Sequence, residues 1–446
     1  MATNRRLGDQ QNMPKSLHPL AIALNDELKT KKSPLLSMLS KKGTRIFFPS
    51  KGILGQSAEA KDATINATIG TAFEEDGTPL CLECIEKLVK LPSTVFLYTP
   101  SFGLPGIRDV WRKMLTTKNP SLANKSFSQP VVTHALTHGL NVAGYLFLDA
   151  GDAIILPDLY WDNYELIFEE SYGAKLKPFP MFKKGSFNTA AMEKMLLAPG
   201  AKKVLILNFP NNPTGYTATE ADSSAICASL LRAAKAGKKV VVILDDAYFG
   251  LVYEPGVSKE SMFADLADMH PNILAVKLDG PTKEDYVWGV RVGFITFGSK
   301  GATQEQYKAL ESKAAGVVRG SISNATSIGQ HLLLKCYTDP VYAKQKQKKF
   351  AILKRRYDRI KAILNEHPEY AKSFVAMPYN SGYFMCVKPI GVDPEALRKH
   401  LLHAHKTGVI VLSGLIRVAF SAVPFEKLDA LFSNIHSAVQ ELSVKK

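Results

Sequence analysis

Between residues 130 and 297, short apolar runs alternate with stretches of helical periodicity. The apolar runs fall at 153–156, 203–209, 240–244, 273–278 and 292–297. The helical patterns fall at 140–148, 161–170, 220–235 and 262–269. A run without polar alternation suits a strand covered on both faces, and helices between such strands make right-handed crossovers. This alternation predicts an α/β domain around a largely parallel sheet. In such sheets ligands bind at the loops beyond the carboxyl ends of the strands, so those loops are where chemistry is sought.

The remainder of the chain is consistent with this core. Residues 1–60 carry ten Lys/Arg against four Asp/Glu and read as an arm with a helix at 18–28. Residues 41–55 read as a loop anchored by Phe47 and Phe48. A short strand is expected at 65–69, ending in Gly70, and a helix begins near Pro105. Beyond Gly298 come helical tracts at 304–318 and 327–364. A smaller α/β unit follows, with strands at 382–387, 409–412 and 416–421 and helices at 394–403 and 426–442. The organisation expected is an arm or part of a small domain at 1–62, a large domain at 63–325 and a small domain at 326–446.

Composition excludes several classes. No apolar run approaches the roughly 18 residues that span a membrane. The polar start of the chain, 1–11, is unlike a secretory signal. Five cysteines in 446 residues suit reduced thiols, and a cytoplasmic location is expected. Cys81 and Cys84 form a Cys-x-x-Cys, but no second Cys or His pair completes a zinc site, and no metal is expected. The net charge is 56 − 41 = +15. No nucleic-acid-binding signature accompanies it, and the lysines of 344–361 fall opposite an apolar helical stripe, so no nucleic-acid partner is expected. A positive field suits anionic substrates or cofactors.

Five polar clusters stand where strands end. Thr137-His138-Gly139 precedes a helix, whose first backbone N–H groups suit a phosphate. Trp161 offers a flat face for a planar ring. In Asn208-Phe-Pro-Asn-Asn212-Pro-Thr-Gly215, two prolines and a glycine fix a turn that presents the Asn212 amide. Asp245 closes a wholly apolar strand, a costly position unless a cation meets it, and Tyr248 lies three residues on. Lys283 follows the Gly280-Pro281 break between two strands, and Arg291 comes eight residues later. A buried lysine near a fixed cation has a lowered pKa and becomes a nucleophile. An aldehyde for the lysine, a basic ring nitrogen for the aspartate, a ring hydroxyl and a phosphate together describe pyridoxal 5'-phosphate.

Asn-Asn-Pro-Thr-Gly at 211–215, Asp-x-Ala-Tyr at 245–248 and Lys-(x)₇-Arg-x-Gly at 283–293 resemble the class I aminotransferases of pyridoxal-phosphate fold type I. The resemblance covers roughly 63–425. Residues 65–77 and the Arg-x-x-x-Ser-Asn at 319–324 are similar to the aspartate aminotransferase branch. It implies a large domain with a mostly parallel seven-stranded sheet, a smaller α/β domain, and a homodimer with shared active sites. It also implies an enzyme of amino acid metabolism that moves an amino group between an amino acid and a 2-oxo acid. Aspartate or glutamate is the donor expected, with aromatic substrates as a further option.

The same resemblance implies roles residue by residue. Lys283 would carry the cofactor as an internal aldimine and shuttle the proton, and Asp245 would pair with the ring nitrogen. Tyr248 and Asn212 would contact the ring oxygen, and Trp161 would stack on the ring. Arg291, Thr282 and the backbone around His138 and Gly139 would hold the phosphate. Arg417 would grip the substrate α-carboxylate beside Gly70. Tyr98 would reach the phosphate, and Arg319 a side-chain carboxylate, from the neighbouring subunit. Gly280 departs from the pattern, since the family usually has Ser or Thr three residues before the lysine. Because the cofactor performs the hard step, a pyridoxal-phosphate lyase, decarboxylase or synthase is the alternative on the same fold.

Overall fold

The computed structural model describes residues 17, 19–29, 33–45, 91–423 and 425–444. The strand expected at 65–69, Gly70, the Cys81/Cys84 pair and the Phe47/Phe48 anchors lie outside these.

The alternation becomes a seven-stranded sheet. Its strands are β1 (Val131–Thr133), β2 (Ala153–Pro157), β3 (Lys175–Phe179), β4 (Lys202–Leu207), β5 (Lys239–Asp245), β6 (Ile273–Asp279) and β7 (Gly293–Gly298). The spatial order is β1-β7-β6-β5-β4-β2-β3. Strands β3, β2, β4, β5 and β6 run parallel, and β7 joins β6 and β1 antiparallel. The mostly parallel seven-stranded sheet expected from the sequence is therefore present.

Both faces of the sheet are covered, which explains why its strands show no polar alternation. Val240, Val242 and Leu244 of β5 pack on one face with Ile107 and Trp111 of helix α1 (Pro105–Lys118). Val241 and Ile243 pack on the other with Leu140 and Leu146 of helix α2 (Ala135–Phe147). At about 25 cal/mol per Å² of apolar surface, such two-sided burial dominates the folding energy of the large unit. A buried lysine breaks the apolar rule. Lys277, within β6, has no exposed surface and pairs with Asp246 and, at 3.5 Å, with Asp279.

A second sheet is wholly antiparallel. Its strands are β8 (Phe374–Ala376), β9 (Met385–Pro389), β10 (Ile410–Leu412) and β11 (Leu415–Val418), in the order β8-β9-β11-β10. Helices α3 (Tyr342–Glu366), α4 (Pro394–Ala404) and α5 (Leu428–Val444) pack with it in one apolar cluster. This is the smaller α/β unit, and β8, like β1 and β3 of the larger sheet, was not among the strands read from the sequence.

Some boundaries differ from expectation. The helical tract expected over 327–364 is two helices, Ser327–Tyr337 and Tyr342–Glu366, with Pro340 between them where an i→i−4 hydrogen bond would be lost. The loop expected from residue 41 begins as a helical turn, Lys41–Arg45. Helix α2 starts at Ala135, so Thr137, His138 and Gly139 lie within its first turns rather than before it.

Candidate active site

The carboxyl ends of β4 and β5, the turn after β6 and the start of α2 meet around a cavity of about 250 Å³. Trp161, Asn212, Asp245, Tyr248, Thr282, Lys283 and Arg291 all line it, although 130 positions of sequence separate the first from the last.

Lys283 lies on a one-turn helix, Pro281–Glu284, between the antiparallel pair β6 and β7. Its carbonyl accepts a 2.6 Å hydrogen bond from the Tyr383 hydroxyl of the smaller unit. Its ammonium nitrogen stands 5.0 Å from the centre of the Tyr248 ring. Burial pushes the Lys283 pKa below the ordinary lysine range, the Arg291 charge pushes the same way, and Asp245 opposes both.

Asp245 is buried at the end of β5. The hydroxyl of fully buried Tyr164 donates to its Oδ2 at 2.6 Å, and the Ala247 backbone N–H donates to its Oδ1 at 3.3 Å. Burial raises the carboxyl pKa, while the Tyr164 hydrogen bond and the Lys283 charge pull it back. Tyr164 comes one helical turn after Trp161, and the two rings meet edge to face at 5.9 Å.

The rigid turn after β4 is tied at both ends. The Asn208 amide donates to the Asp245 carbonyl at 2.6 Å and accepts from the Asn212 backbone N–H at 2.7 Å. Gly215 has φ +71°, and a Cβ there would lie 1.9 Å from the Phe384 carbonyl oxygen, so no other residue fits. The Phe209-Pro210 and Asn212-Pro213 peptides are both cis. Held this way, the Asn212 side-chain oxygen accepts a 2.8 Å hydrogen bond from Arg417 Nη1 on β11. The Arg417 guanidinium also rests 4.5 Å from the Phe384 ring centre, and its Nε is buried without a hydrogen-bond partner among the described residues.

The opposite end of the cavity is lined by Ala135, Leu136 and Thr137 at the start of α2, with Thr282 and Arg291. The first N–H groups of a helix have no partner within it, so they present donors and a partial positive charge. Thr282 Oγ1 is buried without a partner among the described residues. Gly280 is extended, at φ 168° and ψ 167°. It is also tightly packed, since a Cβ there would come within 2.9 Å of the Val292 carbonyl oxygen and 3.1 Å of Leu136 Cδ1. A serine or threonine does not fit there, and the unsatisfied hydroxyl lies two residues on.

Other sequence candidates stand apart from this cavity. His138 lines a separate hollow beside Tyr172 and Gly320. It bonds Ser321 Oγ at 2.9 Å and accepts from the His134 backbone N–H at 3.1 Å, and burial lowers its pKa to about 4, so the ring is neutral. Gly139 is buried inside α2. The helix start that lines the cavity is 135–137, two residues upstream of the expected centre. Tyr98 is 69% exposed and Arg319 is exposed near the end of its helix, Gln304–Ile322; neither lines the cavity. Sequence reading gave no role to Tyr164, Asn208, Tyr383 or Trp288. The signal for Tyr164 was its one-turn spacing from Trp161, and for Asn208 its place as the first residue after β4.

Residues 66–435 match the family model for aminotransferase class I and II. The chain belongs to this family. It is 27% identical over 248 residues to an aspartate aminotransferase of Geobacillus stearothermophilus, a match spanning 54% of this chain and 57% of that protein. It is 25% identical over 370 residues to an aspartate aminotransferase of Bacillus subtilis, covering 78% of this chain and 84% of that one. Among solved structures, an aminotransferase from Anaerococcus prevotii superposes with a TM-score of 0.70 at 21% identity, over 98% of this chain and all of that one. The cytoplasmic aspartate aminotransferase of Saccharomyces cerevisiae superposes with a TM-score of 0.64 at 20% identity, over 87% and 95%. At these identities the superpositions speak for the aminotransferase fold. The family, fold and enzyme class expected from the sequence are borne out, and the family is one that uses pyridoxal phosphate. Among the described residues, no helix is long and apolar enough to cross a membrane.

Proposed function

We propose that this aminotransferase binds pyridoxal 5'-phosphate in the cavity around Lys283 and transfers amino groups between an acidic amino acid and a 2-oxo acid. The observation that carries the reading is the convergence of a lysine of lowered pKa, a buried carboxylate, and an unpartnered buried hydroxyl beside a helix N-terminus in one cavity. These groups fit an aldehyde, a basic ring nitrogen and a phosphate in that order. Thr282, Arg291 and the backbone of 135–137 hold the phosphate, and Thr282 takes the part that Gly280 has no room to play. When bound, the cofactor supplies an electron sink.

The chain's own groups do the rest. Asp245, oriented by Tyr164, keeps a proton on the ring nitrogen. Asn212 and Tyr248 contact the ring oxygen, and Trp161 covers the ring face. Lys283 moves the proton at the substrate Cα, for which a lowered pKa is an advantage near neutrality. Arg417, with Nε lacking a partner among the described residues, receives the α-carboxylate as a charge-assisted fork. Exposed Tyr98 and Arg319 serve the cavity of a second copy in a homodimer, where Arg319 reads a side-chain carboxylate. The relatives named as aspartate aminotransferases favour that choice of donor, and the thiol count favours a cytoplasmic setting.

A panel of amino donors and 2-oxo acids on the purified protein tests this. Turnover of aspartate or glutamate with a 2-oxo acid is expected, with Arg319→Ala losing dicarboxylic substrates and sparing small apolar ones. Repeated turnover of an amino acid, beyond one equivalent of enzyme, without any added 2-oxo acid would point instead to a lyase or decarboxylase.

A further inference from the structure

Away from the cavity, the smaller unit brings two histidines and a carboxylate together. His400 is on the last turns of α4, His405 caps that helix, and Glu441 is near the end of α5. His400 Nε2 lies 2.5 Å from Glu441 Oε2 and His405 Nε2 lies 3.3 Å from Glu441 Oε1. One ligand atom from each residue falls within 4.8 Å of the others. The two imidazoles meet edge to face at 5.6 Å between ring centres.

The frame that holds them is built. The backbone N–H groups of His405 and Thr407 both donate to the Leu401 carbonyl, at 3.1 and 2.9 Å. Lys406 between them takes the left-handed conformation, φ +49°, which turns the chain back on the helix. Thr407 Oγ1 donates to the His405 carbonyl and accepts from the Asn434 amide of α5, each at 2.9 Å. His405 is thereby fastened against the helix that carries Glu441. The imidazoles are mostly covered, at 21% and 16% exposure, and the carboxylate is at 45%, so the open side faces solvent.

We propose that His400, His405 and Glu441 form a binding site for a zinc-type divalent cation that clamps α4 to α5. Two imidazoles and one carboxylate are a three-ligand zinc set that leaves a fourth position for water. Imidazole nitrogen selects such a metal over magnesium or calcium, which take oxygen ligands. With zinc–ligand bonds near 2.0–2.1 Å and tetrahedral angles, neighbouring ligand atoms stand roughly 3.3 Å apart. The His405–Glu441 pair already has that separation. The His400 contact opens to it by rotation of the Glu441 side chain, which is exposed. No local pattern marks the trio, since the five-residue spacing of the histidines is off helical register and Glu441 lies 36 residues beyond His405.

The test is calorimetric titration of zinc ion into chelator-treated, cofactor-loaded protein, with the thermal midpoint followed in parallel. One ion per chain and a raised midpoint are expected for the wild type, and no effect of magnesium. His400→Ala, His405→Ala and Glu441→Gln should each weaken zinc at least about tenfold while leaving cofactor absorbance and transamination intact. Exposed Cys336 is a competing soft ligand, so Cys336→Ser is run alongside and should leave the isotherm unchanged. If zinc binds the His400→Ala/His405→Ala double variant as it binds wild type, or does not bind wild type, the trio is only a hydrogen-bonded ion pair and the proposal fails.

Discussion

The Tyr164 hydroxyl donates a 2.6 Å hydrogen bond to the carboxylate of Asp245, and both side chains are buried. This contact orients the carboxylate at the end of β5 and restrains its pKa against the upward pressure of burial. Removing the donor leaves a buried carboxylate oxygen without its partner, a loss of about 1.5–3 kcal/mol for a bond to a charged group. Tyr164→Phe, which keeps the ring, is therefore expected to lower kcat by roughly tenfold or more with a smaller change in KM. It should also raise the Asp245 pKa, moving the acid limb of the cofactor's pH-dependent absorbance upward. An unchanged kcat and absorbance profile would show that the hydroxyl only fills space.

Lys283 is set between two opposing charges, and their removal should act with opposite signs. Burial and Arg291 depress its pKa, and Asp245 raises it. In the cofactor-free protein, the pH midpoint for reductive methylation of Lys283 is expected below that of ordinary lysines. Arg291→Ala should move the midpoint up, and Asp245→Asn should move it down. The same sign holds for stability. A depressed lysine pKa means the folded state binds fewer protons than the unfolded chain between the two pKa values. The penalty for burying this amine is thus fully present at pH below the folded pKa and relieved as pH rises through the unfolded one.

Gly280 tests the packing argument. Since a Cβ would meet the Val292 carbonyl oxygen at 2.9 Å and Leu136 at 3.1 Å, Gly280→Ser should destabilise the fold by about 1–3 kcal/mol. It should bring no gain in cofactor affinity. Thr282→Val, by contrast, should weaken cofactor binding without loss of thermal stability, because the Thr282 hydroxyl has no partner among the described residues. Tighter cofactor binding by Gly280→Ser would overturn this division of roles.

Lys277 supports the site from behind. Its ammonium group pairs with Asp246, next to Asp245, and with Asp279, which accepts from Trp111 Nε1 at 3.0 Å. Lys277→Met should cost about 3–5 kcal/mol, since it leaves buried carboxylates uncompensated. Adding Asp246→Asn should recover part of that loss. Denaturant unfolding of the two variants measures both effects, and additive losses would refute the coupling.

Much of this architecture was readable in the sequence, for identifiable reasons. Continuous apolar runs such as 240–244 can only be two-sided strands in a chain this long, so the sheet and the ends that carry Asp245 and Asn208 were legible. Asp245, Tyr248, Lys283 and Asn212 were legible because they stand at or within five residues of the ends of such strands. Contacts made by folding were not. Tyr164–Asp245 spans 81 positions and Arg417–Asn212 spans 205, and no local pattern encodes either. Buried Lys277 broke the apolar rule that identified its strand, and its partners became visible only once β5 and β6 were paired. The start of α2 was placed late because Ala135 and Leu136 carry no capping signal.

Lys283 is the residue proposed to hold the cofactor and move the proton. Borohydride reduction of the purified, cofactor-loaded protein, followed by peptide mass spectrometry, tests it most directly. A pyridoxyl label on Lys283 is expected, and loss of both the label and amino-group transfer in Lys283→Ala. A label on another lysine, or transamination at the wild-type rate by Lys283→Ala, would contradict it.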